Sequence, residues 1–509
     1  MQRPILFIWS IPPGILAISL MVVYLTSMAP GLTWANFGVD GGDLISAAAT
    51  GGIAHPTGYP LYLLLARLFQ FVPIGSLAFR TNLMSAVAAD TAAVLVYGLV
   101  TRSLSPSNPH QYWVAGLASG FAFGLAPLIW SQAVITEVYA LHSLFVVLIL
   151  NLSVKTLSEH FTEKRMDCVL GLTFGMAMGN HVTTIFLLPV ILLPTILRKP
   201  IHTQGKHWIY ASKLDSLSLL RRLTWLVVGL LIYLTLPLRA LSHPPVNWGN
   251  PVTLDDFTWL ISGKLYQGLM LNLNFSSVLE RVQTAATLLL TQFGIFGLSV
   301  GLIGLIVFFK PTRLNYCMVW IATVSSVFAI GYATTDAFLY LIPAFLCLAI
   351  WIGMGLGGLM EASSKRLHSI GLPVGLILIL TLLIQAWVHH PQVDASHDLR
   401  AESFGRSVLA LAPAHALVFA KGDEAVFTLW YFQYAQRNRP DLVIVATDLL
   451  GFKWYLQTLH TTYPDLNLPG PFPFAETVVV ANPGRPICYV QYVQAPEINC
   501  LPSRDSQLP

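Results

Sequence analysis

Apolar runs of close to 20 residues, separated by short polar stretches, dominate the chain, and that is the length a helix needs to cross a bilayer. Such runs lie near 5–28, 81–101, 112–130, 138–154, 168–180, 182–197, 223–240, 283–309, 315–332, 337–359 and 370–389. They predict about eleven transmembrane helices. The pair over 168–197 is short and splits at Gly179-Asn180-His181. A further apolar stretch, 60–73, is interrupted by Arg67 and closed by Pro73, and reads as a helix lying at the interface. From about 390 the pattern changes. Charges appear, 416–420, 442–446 and 477–481 read as strands, and 423–437 and 449–461 read as helices. The expected architecture is an all-α polytopic membrane domain over 1–389, whose first outer loop (29–80) carries interfacial helices. A small extracytoplasmic α/β domain follows over 390–509.

Composition sharpens this picture. The chain is 55% hydrophobic and 10% charged, with a mean hydropathy of +0.65, whereas soluble domains carry about 25% charged residues. A net charge of +4 over 509 residues gives little support to a nucleic-acid role. The first apolar run is too long for a signal-peptide core and is followed by no small-residue cleavage pattern, so it reads as a retained helix that starts in the cytoplasm. Alternating from there, the inner segments hold fifteen Lys and Arg residues and the outer segments before the tail hold five. That is the bias of the positive-inside rule. Treating 60–73 as a span would move the basic cluster at 198–222 outside. An odd number of spans puts the tail outside the cytoplasm, where Cys488 and Cys500 could pair. Cys168, Cys317 and Cys347 lie in apolar runs and read as buried thiols, and the five cysteines form no metal pattern.

The same topology gathers unusual polar residues on the outer face: Asp40, Asp43, His55, Arg80, Glu137, Asn180, His181, Arg239, Asn247, Trp248, Asp336 and Tyr340. Ionisable groups near a bilayer are costly unless solvated or paired, so their convergence suggests a shared cavity. Asp40 and Asp43 stand three residues apart and would share one helix face. They could simply open a helix, Asp40 as its cap and Asp43 as its first-turn acid. A shielded carboxylate there could also accept a proton from a hydroxyl. His55-Pro56-Thr57-Gly58-Tyr59-Pro60 is a rigid turn that could launch the next helix or hold His55 against an acceptor or phosphate. Glu137 could be a solvated helix start. Arg239 offers a planar fork suited to phosphate, or could snorkel to lipid headgroups. Trp248, in Asn247-Trp248-Gly249-Asn250-Pro251, could sit in an aromatic belt. Asp90 is the acid placed within a span. No Walker loop, GxGxxG site or HExxH is present, which disfavours an ATP-driven pump and a zinc protease.

Five strings carry a resemblance: DGGDLISAAATGGIAHPTGYPLY (40–62), AFRTNLMSA (78–86), WSQAVITEVYALH (130–142), LPLRA (236–240) and VNWGNP (246–251). In this order they resemble a family of multi-pass proteins, long known only as a domain of unknown function. It is similar to the GT-C class of membrane glycosyltransferases, and its animal members are protein O-mannosyltransferases. The resemblance covers about residues 5–360, and the tail strings GDEAVFTLWYFQ and NRPDLVIVATDLL resemble the outer domain of bacterial members. It implies a polyprenyl-phosphate sugar donor, a site at the outer membrane face, and transfer of a sugar, by analogy mannose, to a hydroxyl of a protein or glycan. Asp40 matches the GT-C catalytic acid. The family commonly reads Asp-Ser-Gly-Glu here, and this chain has Asp40-Gly41-Gly42-Asp43, which leaves open which carboxylate is the base. The roles implied are catalysis by Asp40, Asp43 and Glu137, donor or phosphate binding by Arg239, His55, Tyr59 and His181, and acceptor or sugar binding by Asn247, Trp248, Asp336 and Tyr340. A divalent cation, magnesium or manganese, could bridge Asp40, Asp43 and phosphate. Rival readings are a transporter or flippase of lipid-linked glycans and a non-catalytic membrane scaffold.

Overall fold

The computed structural model describes residues 3–104, 109–154, 163–202, 208–212, 215–270, 275–310, 312–366 and 371–503. Each of the expected apolar runs is helical. In chain order the membrane part comprises α1 (Arg3–Ser27), α2 (Gly41–Thr50), α3 (Pro60–Gln70), α4 (Leu77–Ser103), α5 (Pro109–Gly124), α6 (Pro127–Ala133), α7 (Tyr139–Val154), α8 (Glu163–Met178) and α9 (Leu188–Ile196). A hairpin of β1 (Leu197–His202) and β2 (Trp208–Ser212) follows. The helices then resume with α10 (Ser216–Leu230), α11 (Thr235–Ala240), α12 (Leu254–Ile261), α13 (Phe275–Ile306), α14 (Arg313–Gly331), α15 (Ile342–Arg366) and α16 (Gly371–Val393).

The expected number of about eleven spans is not reached by length and apolarity. Among the described residues six helices qualify, or seven if α5 and α6, bent by 67° to one another, count as one span. The reason lies in breaks within the runs. Pro127 ends the continuity between α5 and α6, and the run at 182–197 opens with a 3-10 turn, Val182–Leu187. Residues 11–27, 139–154 and 182–192 form shorter apolar helices.

The helices pack through small residues, as expected where lipid removes the hydrophobic drive between them. A Cβ on Gly175 would meet the Leu226 carbonyl oxygen at 2.2 Å, and one on Gly229 the Leu172 oxygen at 2.6 Å, so α8 and α10 touch backbone to backbone. One end of that pair is locked by Asp167. Its carboxylate accepts from Ser218 Oγ at 2.7 Å, Arg221 Nη2 at 2.7 Å and Arg222 Nε at 2.8 Å.

Beyond α16 lies the α/β unit: α17 (Arg400–Leu411), β3 (Leu417–Lys421), α18 (Asp423–Trp430), β4 (Val443–Ala446), α19 (Lys453–Thr462), α20 (Ala475–Ala481), β5 (Ile487–Tyr492) and β6 (Pro496–Leu501). Its sheet has the order β4-β3-β5-β6, with β3 parallel to both neighbours and β6 antiparallel to β5. The strand expected at 477–481 is a correction. This β-branched run lies in α20, which buries Val478 and Val479 and is closed by Asn482 Nδ2 donating to the Val478 carbonyl at 2.7 Å. Packing of one helical face overrides the propensity of three successive valines. The strands that complete the sheet are β5 and β6, where Cys488 and Cys500 stand opposite each other and are disulfide-bonded.

The α/β unit is clamped onto the loop that follows α1. Asp398 Oδ2 accepts from Thr33 Oγ1 at 2.6 Å, Trp34 N at 3.0 Å and Ala35 N at 2.8 Å. Burial would raise the Asp398 pKa, but hydrogen bonds from Arg400 and Thr33 prevail and bring it down to about 2. Asn36 Nδ2 reaches the Val393 carbonyl at 2.8 Å. The tightest approach is at Gly42, where a Cβ would lie 2.4 Å from the Phe427 carbonyl oxygen of α18.

Candidate active site

The first loop, between α1 and α4, forms one wall of the site. A 3-10 turn, Ala35–Asp40, runs directly into α2, so Asp40 precedes the helix and Asp43 falls in its first turn. Both helix-start roles read from the sequence are therefore present, although Asp40 makes no side-chain capping bond. The helix ends at Gly51, which takes a left-handed φ of 70°, a conformation glycine adopts without penalty. The chain then turns back over α2. Ile53 forms an isolated parallel bridge with Asn247, and Gly52 packs so closely that a Cβ would sit 2.3 Å from the Val246 oxygen. This return carries His55 to the two aspartates.

Asp43 is fully buried and spends its carboxylate on this return segment. Oδ2 accepts from the His55 backbone N–H at 2.9 Å and lies 2.8 Å from His55 Nδ1, while Oδ1 accepts from Trp248 Nε1 at 3.0 Å. With Nδ1 turned to Asp43, the opposite ring nitrogen, Nε2, lies 3.5 Å from Asp40 Oδ2. The Asp40 side chain is 41% exposed, and it lines an open cavity. Burial raises the Asp40 pKa. His55 opposes the rise, and the charges of Asp43, Asp336 and Glu424 add to it. For His55 burial favours the neutral ring, but Asp40, then the hydrogen bond and charge of Asp43, and Glu137 outweigh it and lift the pKa to about 9. The imidazole is therefore a cation at neutral pH, held between two carboxylates.

The cavity measures roughly 400 Å³. Asp40, His55 and Tyr59 from the first loop, His181 after α8, and Asp336 and Tyr340 before α15 all line it. The structure thus brings together six of the residues singled out in the sequence. Tyr139 and Tyr340 flank His181, with ring centroids 5.6 and 5.8 Å away. Further lining comes from Tyr266 and Tyr332, and from Asp423 and Glu424 in the first turn of α18. Burial, followed by the charge of Asp40, raises Asp423 to about 6. The sequence reading missed Asp423 and Glu424, although an acidic pair opening a helix directly after a strand and Gly422 was a visible signal.

Other expected residues stand elsewhere. Glu137 is buried, accepts from the neighbouring Val138 N–H at 3.2 Å and does not line the cavity. Its pKa is raised by burial and by Asp40. Arg239 lies outside the lining, and its Nη1 donates to the Gly52 carbonyl at 3.0 Å, bracing the turn that carries His55. Asn247 and Trp248 are also buried outside the lining. Asn247 Nδ2 bonds Asn250 Oδ1 at 3.0 Å, and Trp248 is committed to Asp43 rather than to an aromatic belt. Arg281, not singled out before, lines an adjacent groove of roughly 340 Å³ with Ala285, Leu288, Ile330 and Phe338. That groove shares Thr334 and Thr335 with the cavity, and Arg281 donates to the Tyr332 and Thr334 carbonyls at 2.8 and 2.9 Å.

A cation bridging Asp40 and Asp43 does not fit this donor set. Asp43 already accepts three hydrogen bonds and faces His55. Among the described residues no three His, Cys, Asp or Glu side chains are arranged to hold a metal ion.

An acidic cavity thus lies beside the first loop of a multi-pass helical domain, under a small α/β unit, and the fold is shared with a solved structure. ArnT from Cupriavidus metallidurans, solved bound to undecaprenyl phosphate, superposes with a TM-score of 0.59 at 13% identity, covering 95% of this chain and 93% of that one. The apo form of the same protein gives 0.57, also at 13% identity, covering 93% and 91%. Two family models match parts of the chain. Residues 40–204 match the protein O-mannosyl-transferase TMEM260 N-terminal domain, and 401–472 match TMEM260-associated domain 2. It is 28% identical over 464 residues to protein O-mannosyl-transferase TMEM260 of Mus musculus, covering 85% of this chain and 62% of the mouse protein. To the Dictyostelium discoideum protein of that name it is 24% identical over 520 residues, covering 90% and 59%. The chain therefore spans about three fifths of the length of these relatives.

Proposed function

We propose that this chain is a membrane glycosyltransferase that moves a sugar, mannose by analogy with the named relatives, from a polyprenyl-phosphate donor to a hydroxyl of a protein or glycan at the outer membrane face. The observation that carries this reading is the carboxylate of Asp40, which opens into the cavity beside His55 Nε2 while Asp43 is sealed behind it. Asp40 takes the proton of the acceptor hydroxyl. The freed oxygen attacks the anomeric carbon, the bond from that carbon to the phosphate oxygen breaks, and polyprenyl phosphate leaves with the electron pair. A carboxylate with a raised pKa suits this task. His55, as a cation fixed by Asp43, stabilises negative charge developing on the phosphate.

The donor lipid is assigned to the groove under Arg281. Half of its lining is apolar (Ala285, Leu288, Ala329, Ile330, Phe338 and Leu341), it meets the cavity at Thr334 and Thr335, and the guanidinium keeps donors beyond its two carbonyl bonds. Arg239 is then a brace for the His55 turn and not a phosphate ligand. The outer-face placement is supported by the Cys488–Cys500 disulfide, since such bonds persist in oxidising compartments. The distribution of Lys and Arg supports the same orientation, with a cytoplasmic N-terminus. A divalent cation, if the reaction uses one, is not held by the Asp40–Asp43 pair. Its binding would rest on Asp40 with donor phosphate oxygens, and chelation of the reconstituted enzyme tests it.

The experiment is transfer from a panel of polyprenyl-phosphate sugars to membrane and secreted acceptors, by protein in lipid. Donor-dependent labelling supports the reading. Transbilayer movement of the lipid-linked sugar without any transfer identifies a flippase, and neither activity identifies a scaffold.

A further inference from the structure

A second concavity lies in the α/β unit, on the sheet face that the helices leave open. It measures roughly 660 Å³. Its floor is aromatic: Tyr489 of β5 stacks on Phe419 of β3, with ring centroids 5.4 Å apart and planes 21° from parallel. Phe419 is buried, and Tyr489 is 38% exposed at the cleft. Polar groups rim this floor: Lys421, Asp448, Gln491, Glu497 and Asn499. The cleft sits at the carboxyl ends of β3 and β5. From β3 the chain goes first to β4 on one side and later to β5 on the other, and such a switch point is where open α/β sheets bind ligands.

The cleft and the cavity meet along one turn. Lys421 lines the cleft, and Asp423 and Glu424 line the cavity. Between them Gly422, with φ of 83°, donates its N–H to Asp448 Oδ2 at 2.9 Å. A ligand lying in the cleft can therefore extend over this turn toward Asp40. Two carboxylates against one lysine disfavour an anion such as a lipid phosphate or a nucleotide. A flat aromatic floor with a rim of both donors and acceptors suits a neutral, hydroxyl-rich ring with one apolar face.

We propose that this cleft is a saccharide-binding subsite that holds the acceptor or the growing product beside the site at Asp40. The inference rests on the glycosyltransferase reading for its purpose and on the cleft alone for its binding, so the two can fail separately. The test is binding of methyl glycosides and short oligosaccharides of mannose, glucose and galactose to the full chain in lipid nanodiscs, read by saturation-transfer NMR and calorimetry. At least one saccharide should bind saturably, Tyr489→Ala should weaken it tenfold or more at unchanged melting temperature, and Tyr489→Phe should retain it. The absence of saturable binding to the wild-type chain, or binding that Tyr489→Ala leaves unchanged, overturns the proposal. Sugar transfer measured on the same preparations reports on the enzyme reading independently.

Discussion

His55 Nδ1 lies 2.8 Å from Asp43 Oδ2, and the same oxygen accepts the backbone N–H of His55 at 2.9 Å. One buried carboxylate thus fixes both the ring and the chain that carries it, and with Nδ1 so engaged the free nitrogen, Nε2, lies toward Asp40. The two acids of the DGGD string have separate work as a consequence. Asp40 meets the cavity, and Asp43 positions its neighbour.

Asp43→Asn replaces an acceptor by an amide that must turn a donor toward His55 or toward Trp248. It should cut transfer by about 10- to 100-fold, the usual cost of losing such an orienting partner, and should lower stability by ~1–3 kcal/mol. Initial rates and the melting temperature of the purified protein check both. Unchanged rates would mean that His55 needs no orientation.

The charge of His55 gives a pH dependence. Its pKa is raised to about 9 in the folded protein, above the ordinary value of about 6.5. The stabilisation from protonated His55 is therefore fully present below about 6.5 and is lost as pH rises through about 9. Transfer and melting temperature should both fall along that alkaline limb. His55→Gln should remove the limb while lowering the rate throughout, which a pH–rate profile reads directly.

Gly42 and Gly41 predict opposite outcomes from the same substitution. Ala at 42 would press against the Phe427 backbone at 2.4 Å, whereas the nearest atom to a Cβ at 41 lies 3.5 Å away. Gly42→Ala should lift α18 from the first loop and cost ~1–3 kcal/mol, the scale of overpacking. Loss of the cavity wall at Asp423 and Glu424 should reduce transfer as well. Gly41→Ala should leave both near wild type, and thermal melts with transfer assays on the pair separate the two.

Asp167 predicts a purely structural defect. Removing its charge leaves Arg222, 2% exposed, without its ion-pair partner, a loss of ~3–5 kcal/mol for buried pairs. Asp167→Asn should lower the melting temperature and the yield, while the protein that does fold keeps its affinity for donor. Melting curves and donor binding on the same sample check this.

The helices were legible because long apolar runs admit little else in a bilayer. The acid-rich first loop was legible because charge beside a membrane needs a reason. What the chain order hid were contacts between distant segments. Arg239 stands near the end of α11, yet points to the Gly52 carbonyl, and hydropathy says nothing about which side of a helix faces the cavity. Asp423 and Glu424 read only as a helix start until α18 is seen against Gly42, more than 380 residues earlier. The run of valines in α20 carried a strand signal that packing reversed, and β5 and β6 mix apolar with polar residues too much to stand out.

Asp40→Asn tests the central claim most directly, with transfer from polyprenyl-phosphate sugar measured for the mutant and the wild type in the same lipid. The side chain is isosteric, opens into the cavity and pairs with His55 at 3.5 Å. The account predicts a loss of at least 100-fold in rate, the scale of removing a general base, with donor binding retained and the melting temperature lowered only by the loss of the His55 pair. Transfer equal to wild type would contradict it and would remove Asp40 from the chemistry.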